Sequence, residues 1–295
     1  MKKSHLFLAL LIMLIWGCNY SVIKLGLDTL DPFMLTALRF LLCAIPLIFF
    51  LKRPKGHMSA CILYGVIFGI GLWGVVNLGI FLGISPGLAS LLLQISAILT
   101  VLWGVIFLNE SFTRIKYLGM VFILTGLLII IFSTPGKTSL LSIGLILFGA
   151  FSWSLCNLII KKNKPENLLS FMTWSSLFSA LPLFILTYLV KGSTPFLHLA
   201  HDLTAQAVFS IFFQAYITTI FGYGAWSFLL KKYPVSQVAP LSLLIPIFGF
   251  LSAYWLFHET LSPIKIISVL IILLGLGIFL FPIKKLKSIF SILPK

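Results

Sequence analysis

Long apolar stretches alternate with short polar connectors along the whole chain, and this pattern predicts its architecture. A helix needs about 20 apolar residues to cross the hydrocarbon core of a bilayer, and each stretch is close to that length. Backbone groups in lipid must pair within the segment, so we expect helices. The pattern predicts an all-α integral membrane protein with ten transmembrane helices. The predicted helices 1 to 10 are Leu6–Gly26, Pro32–Leu51, Met58–Leu82, Pro86–Leu108, Ile115–Phe132, Leu140–Ile160, Leu168–Val190, Val208–Leu230, Val235–Phe257 and Pro263–Phe281.

The basic residues indicate how the predicted helices are oriented. With the N-terminus in the cytoplasm, the outer connectors hold only Lys137, Lys191 and Lys265. Because cytoplasmic connectors are enriched in Lys and Arg, we expect both termini in the cytoplasm. The basic residues then assigned to the cytoplasmic side are Lys2, Lys3, Lys52, Arg53, Lys55, Arg114, Lys116, Lys161, Lys162, Lys164, Lys231, Lys232, Lys284, Lys285, Lys287 and Lys295.

Composition agrees with a chain embedded in the lipid bilayer. Apolar residues make up 60% of the 295 residues and charged residues only 9%, whereas about a quarter of a soluble domain is charged. The net charge of +15 would suggest nucleic acid on a soluble chain. Here the charge lies in membrane connectors, so we expect no nucleic-acid partner. The N-terminal run resembles a signal peptide, but it continues through Asn19 and Lys24 without a cleavage motif, so we expect a retained helix.

The two halves of the chain resemble each other through short motifs at corresponding positions. The matches are Cys18-Asn19 with Cys156-Asn157, and Asn109-Glu110-Ser111 with His258-Glu259-Thr260. We therefore divide the chain into two five-helix repeats, residues 1–137 and 138–295. An odd number of helices inserts the second repeat in the opposite sense. Inverted repeats are common in secondary transporters, whose substrate site lies near the midplane between them.

Aromatic and amide side chains occur together in helices 1 and 6. Trp16 lies three residues before Asn19, and Trp153 lies four before Asn157, so each pair shares a helix face. A ring and an amide offer a small polar ligand one packing surface and one hydrogen-bonding group. The alternative is that the Asn side chains join neighbouring helices. The recurrence in both halves favours a substrate-binding role.

Helices 3, 4 and 8 add further candidate substrate-binding residues. Gln94 follows Pro86 in helix 4, and the N-terminus of that helix carries partial positive charge that can meet a carboxylate. Tyr223 in helix 8 lies between two glycines, which make room for a ligand or a hinge. Asn77 and Trp73 in helix 3 are further polar and aromatic candidates. Simple helix packing is the alternative for each.

The few charged residues near the membrane limit the mechanism. Arg39 lies inside helix 2, where it should face protein and pair with Asp28, Asp31 or a substrate carboxylate. None of the six acidic residues lies mid-span, which argues against a simple carboxylate-based proton antiport. We expect Glu110 and Glu259, at the ends of helices 4 and 9, to be end caps or gate-side ion pairs.

Other chemistries find little support in the sequence. It contains no P-loop, so we expect neither ATP drive nor a cofactor, and it contains no HExxH or GxSxG motif. His198 and His201 are too few ligands for a metal site. The four cysteines lie in apolar stretches, where we expect buried thiols. An intramembrane enzyme acting on lipid is the alternative from another class, but it would need a catalytic pair within the membrane.

Several stretches together resemble the EamA-type branch of the drug/metabolite transporter superfamily. They are IWGCNYSVIKLGL (15–27), RPK (53–55), PGLASLLLQ (86–94), AFSWSLCN (150–157) and GYGAWSFLLKKYPVSQVAPLSLLIPIFG (222–249). The resemblance implies ten helices in the bacterial inner membrane around a cavity lined by helices 1, 3, 4, 6, 8 and 9. It also implies the export of a small-molecule substrate, and we expect alternating access, in which the two repeats rock around the cavity. Amino acids or derivatives such as cysteine and O-acetylserine are expected, with aromatic amino acids, drugs or other metabolites as alternatives. Neither the motifs nor the resemblance indicates an oligomeric state.

Overall fold

The computed structural model of the protein is a bundle of helices. It describes residues 1–54, 56–108, 114–133, 140–233, 238–260 and 262–280, and no strand occurs in those ranges. Eight helices are long and apolar enough to cross a membrane, and two shorter apolar helices follow them. The prediction of an all-α membrane protein is therefore confirmed. The helices are α1 (Lys3–Leu27), α2 (Pro32–Phe49), α3 (Met58–Phe81), α4 (Pro86–Phe107), α5 (Arg114–Phe132), α6 (Leu140–Asn163), α7 (Leu168–Lys191), α8 (Ala205–Lys232), α9 (Leu241–Phe257) and α10 (Pro263–Phe279).

Several sequence predictions fall outside these ranges. Glu110, Lys137 and the first residues of the predicted ninth helix, 235–237, lie outside the described residues.

Polar residues determine where several helices begin. The Asp31 carboxylate accepts hydrogen bonds from the backbone N–H groups of Phe33 (2.8 Å) and Met34 (3.1 Å), ahead of α2. Thr204 accepts a bond from the backbone of Ala207 at the start of α8. Such caps satisfy backbone donors that have no partner within the helix.

Four helices depart from regular α geometry at corresponding positions of the two predicted repeats. The segments Ile67–Gly74 of α3 and Phe213–Phe221 of α8 are π-helical. A turn at Leu93 and Gln94 interrupts α4, and α9 is entered through the 3₁₀ segment Ala239–Leu243. Such irregular segments in helices often mark functional sites. In transporters, broken helices line the substrate site.

Glycines allow close contact between helices that are distant in the sequence. A Cβ atom on Gly17 of α1 would lie 2.5 Å from Phe248 Cβ of α9. Gly119 of α5 and Gly275 of α10 approach each other in the same way, since a Cβ on either would lie 2.7 Å from the other's carbonyl oxygen. Lipid provides no hydrophobic drive between helices, so close packing of small residues stabilises the bundle.

The close approach at Gly17 predicts a loss of stability on substitution. Gly17→Ala should lower the free energy of unfolding by about 1–3 kcal/mol, the range for overpacking a filled site, and lower the melting temperature in detergent. Gly144→Ala in α6 is the matched control, because a Cβ there meets nothing within 4 Å. Equal melting temperatures for the two variants would contradict this packing.

Candidate functional site

A cavity of about 240 Å³ lies between α1, α3, α4, α6, α8 and α9. These are the six helices that the family resemblance implied. The cavity wall combines aromatic rings with amide and hydroxyl groups. Its lining residues are Trp16, Asn19, Tyr20, Leu72, Trp73, Leu93, Gln94, Ser96, Ala97, Trp153, Asn157, Thr218, Tyr223, Trp226, Ser242 and Ile245.

The structure brings most of the predicted site residues to this one wall. They come from four helices and are Trp16, Asn19, Gln94, Trp153, Asn157 and Tyr223. Asn77 is the exception. Its side chain is fully buried, and its Nδ2 donates to Thr36 Oγ1 of α2 at 2.8 Å. The structure therefore places Asn77 between α2 and α3, because its amide pairs with a neighbouring helix rather than facing the cavity.

Three aromatic rings form a cluster in the wall, with Tyr223 at its centre. The ring of Tyr223 lies 5.2 Å from that of Trp16 and 6.0 Å from that of Trp153. Trp16 Nε1 donates to the backbone carbonyl of Thr218, in the π-helical segment of α8, at 3.1 Å. A Cβ on Gly222 would lie 2.6 Å from Trp16 Nε1, so a glycine is required there for Trp16 to approach α8.

Three amide side chains in the wall are each held by one hydrogen bond. Each bond uses one end of the amide, which orients the group and leaves the other end without a partner among the described residues. An amide held in this way offers a bound molecule a donor or an acceptor in a defined place. The bonds are Thr218 Oγ1 to Asn19 Oδ1 (3.0 Å), Asn157 Nδ2 to Thr100 Oγ1 (3.1 Å) and Gln94 Nε2 to the Ser242 carbonyl (2.8 Å).

The wall also contains residues that the sequence interpretation did not select. Tyr20 lies four residues after Trp16, so the helical spacing that joined Trp16 with Asn19 could have found it. Trp226 lies three residues after Tyr223 and could have been found in the same way. Trp73, which the sequence did propose as a further candidate, also lies in the wall. It belongs to a π-helical segment, whose spacing of side chains differs from that of a regular helix, so helical periodicity does not predict its direction.

Arg39 lies behind this wall, and its predicted ion pair with Asp28 or Asp31 is not formed. Asp31 caps α2 instead. The Arg39 guanidinium is fully buried and donates to Thr219 Oγ1 at 2.9 and 3.2 Å and to Gln214 Oε1 at 3.3 Å. Its direction explains the difference, because Arg39 points to the π-helical segment of α8 rather than back along its own helix.

The predicted anion-binding N-terminus of α4 meets a carboxylate of the protein itself. Ser85, which caps α4, donates to Glu259 Oε1 after the end of α9 at 2.5 Å. The backbone N–H of Gly87 lies near the same carboxylate, whose Oε2 is buried without a hydrogen-bond partner among the described residues. Burial raises the pKa of the Glu259 carboxyl above its usual value, although the bond from Ser85, the N–H of Gly87 and the nearby Lys24 act in the opposite direction. Glu259 therefore joins the two predicted repeats at one end of the bundle.

The raised pKa of Glu259 predicts a pH-dependent stability. The folded protein binds this proton more tightly than the unfolded chain, so the stabilisation is present at low pH and is lost as the pH rises through the raised pKa. Glu259→Gln, which is neutral at every pH, should therefore melt at a higher temperature than the parent protein at neutral and alkaline pH and at a similar one in acid.

Melting temperatures across a pH series in detergent measure this difference. Glu166→Gln is the control, because Glu166 is exposed in the connector before α7 and its substitution should not change the pH profile. If the melting temperature of Glu259→Gln changed with pH in parallel with that of the parent protein, Glu259 would not be the source of the pH-dependent stability.

Six apolar helices around a polar and aromatic cavity are an arrangement typical of membrane transporters. The sequence model of the EamA-like transporter family matches residues 3–132 and 140–281. The chain belongs to this family. It is a multi-pass protein of the bacterial inner membrane and a transporter rather than an enzyme.

Relatives of known sequence are similar to the chain over almost its whole length. A probable amino-acid metabolite efflux pump of Escherichia coli is 33% identical, covering 98% of this chain and 99% of that protein. A protein of the same description from Salmonella typhimurium is 34% identical, covering 95% and 96%. One solved crystal structure has a TM-score of 0.61 at 16% identity, covering 94% of this chain and 96% of the other. At that identity, the likeness concerns the fold alone.

Proposed function

We propose that this protein exports small metabolites from the cytoplasm, with amino acids and derivatives such as cysteine and O-acetylserine as substrates. The two relatives named as amino-acid metabolite efflux pumps support this substrate class. The size of the cavity favours a small solute, because about 240 Å³ is less than the roughly 300–1,000 Å³ that drug-sized ligands occupy.

One observation carries the proposal. Side chains from corresponding helices of the two proposed repeats line the same cavity. There the aromatic rings provide a packing surface, and the amides, each held by one hydrogen bond, provide further hydrogen-bonding groups. Trp16 with Asn19 and Trp153 with Asn157 are the clearest case, since the pairs occupy corresponding helices of the two halves. A binding site between repeats suits alternating access, in which one repeat moves against the other around the substrate.

The proposed architecture is ten membrane-spanning helices in two inverted repeats, residues 1–137 and 138–295, with both termini in the cytoplasm. The eight long helices and two shorter apolar helices support the count. The two matched ranges of the family model support the division. The concentration of Lys and Arg in alternate connectors supports the orientation. In this arrangement the contact of Ser85 with Glu259 closes the outer side and must break for substrate release.

The amides of the cavity wall provide a test of the proposed site. Asn19→Ala and Asn157→Ala should each reduce the flux of L-cysteine into proteoliposomes about tenfold, the effect of one lost hydrogen bond to a charged group. Radiolabelled counterflow at matched protein density measures the flux.

Asn163→Ala is the matched control in α6. Its amide donates to the carbonyl of Ile159, one turn earlier, and does not line the cavity. Full transport by folded Asn19→Ala and Asn157→Ala proteins would remove both residues from the site.

A further inference from the structure

Arg39 is a cation that no carboxylate of the described residues neutralises. Its side chain is completely buried, and its hydrogen bonds go to the uncharged side chains of Thr219 and Gln214. A charge removed from water is costly unless it is paired. Charged residues inside a membrane bundle are rare and usually functional. The guanidinium has five N–H donors and makes three bonds, so part of its capacity is unused.

Trp73 connects Arg39 with the cavity. The Cζ atom of Arg39 lies 4.2 Å from the centre of the Trp73 ring, and Trp73 itself lines the cavity. Charges interact far more strongly in apolar surroundings than in water. An anion that rests against Trp73 is therefore stabilised by Arg39 without direct contact.

The same part of the wall contains N–H groups that have no acceptor. The indole Nε1 of Trp73 and the amide Nδ2 of Asn19 are both buried without a hydrogen-bond partner. The indole N–H can only donate. Native proteins leave few buried donors unpaired. We therefore expect these two N–H groups to donate hydrogen bonds to an acceptor on a bound molecule.

The wall formed by α4 and α6 has the opposite character. Gln94 and Asn157 each donate one amide N–H, Gln94 to the Ser242 carbonyl and Asn157 to Thr100 Oγ1. The carbonyl oxygens of both amides have no donor among the described residues and are available as acceptors. The cavity thus has buried donors without an acceptor on the side near the Arg39 cation and amide carbonyl oxygens without a donor on the other side.

We propose that this polarity selects and orients an α-amino acid whose amino and carboxyl groups are both free. The carboxylate lies against Trp73 and Asn19, and the ammonium group donates to the oxygens of Gln94 and Asn157. Arg39 is a positioning residue that acts through Trp73. The inference rests on the proposed export of amino-acid-like metabolites and narrows their chemistry.

Ligand binding to the purified full-length protein tests the proposal. Fluorescence of the cavity tryptophans is titrated with L-cysteine, with L-cysteinamide, whose carboxylate is a neutral amide, and with cysteamine, which lacks the carboxylate. The parent protein should bind L-cysteine about tenfold more tightly than either analogue, the effect of one charge-assisted hydrogen bond. Arg39→Gln should lower the affinity for L-cysteine to that for L-cysteinamide and leave the affinity for L-cysteinamide unchanged. Arg39→Lys should keep the preference.

Arg53→Gln is the matched control. Arg53 also lies over a tryptophan, at 5.2 Å from the ring of Trp174, but neither residue lines the cavity, so this variant should keep the preference for L-cysteine. If Arg39→Gln does not fold, the proposal is tested by the affinities for L-cysteine and L-cysteinamide in the parent protein and in Arg39→Lys. Equal affinities for the two ligands in both proteins would overturn it.

Flux of L-cysteine by the parent protein separates the two hypotheses. Transport of L-cysteine together with equal affinity for L-cysteinamide would overturn the carboxylate inference and leave the proposed function intact. Absence of both transport and binding for amino acids would overturn the proposed function, and the inference would fall with it.

Discussion

The cost of leaving polar groups unpaired in apolar surroundings governs this structure. Regular helices satisfy their own backbone, which is why apolar stretches alone predict them. The irregular segments of α3, α4, α8 and α9 are the exception, and all four meet at the cavity. Backbone carbonyls in those segments accept hydrogen bonds from side chains of the cavity wall. Trp16 donates to the carbonyl of Thr218, and Gln94 donates to that of Ser242. The irregular backbone and the polar side chains of the cavity therefore depend on each other, because the side chains provide hydrogen-bond donors for backbone carbonyls that lack a partner within their helix.

Corresponding helices of the two halves contribute similar side chains that find different partners. Asn19 of α1 is held by Thr218 of α8, whereas Asn157 of α6 is held by Thr100 of α4. The bond leaves a donor free on Asn19 and an acceptor free on Asn157. With the proposed repeats, a scaffold of two related halves surrounds a cavity whose walls differ chemically, and such a cavity can bind an asymmetric solute in one orientation.

The sequence predicts the helices and several of the polar and aromatic residues of the cavity wall, but not the contacts behind that wall. Apolar length and helical spacing were sufficient for Trp16, Asn19, Trp153 and Asn157, because regular periodicity determines which side chains share a face. The same reasoning does not distinguish Asn77 from these cavity residues, because the sequence does not show whether a buried amide faces a ligand or a neighbouring helix. The π-helical segments carry no sequence signal of their own.

Arg39 shows a further limit of sequence reasoning. Aspartates nearby in the chain were natural partners for it, yet its hydrogen bonds reach Gln214 and Thr219, far along the chain in α8. Such long-range pairing follows from the packing of α2 against α8, and a single sequence does not contain that information in readable form.

Movement of the two halves against each other is the central claim, and reversible cross-linking tests it most directly. Ser85 and Glu259, which are in contact across the halves, would be replaced by cysteines in a protein whose four native cysteines are alanines. A short methanethiosulfonate cross-linker should abolish the flux of O-acetylserine, which has no thiol to exchange with the cross-link, and a reducing agent should restore that flux. Full flux in the cross-linked protein would contradict the account.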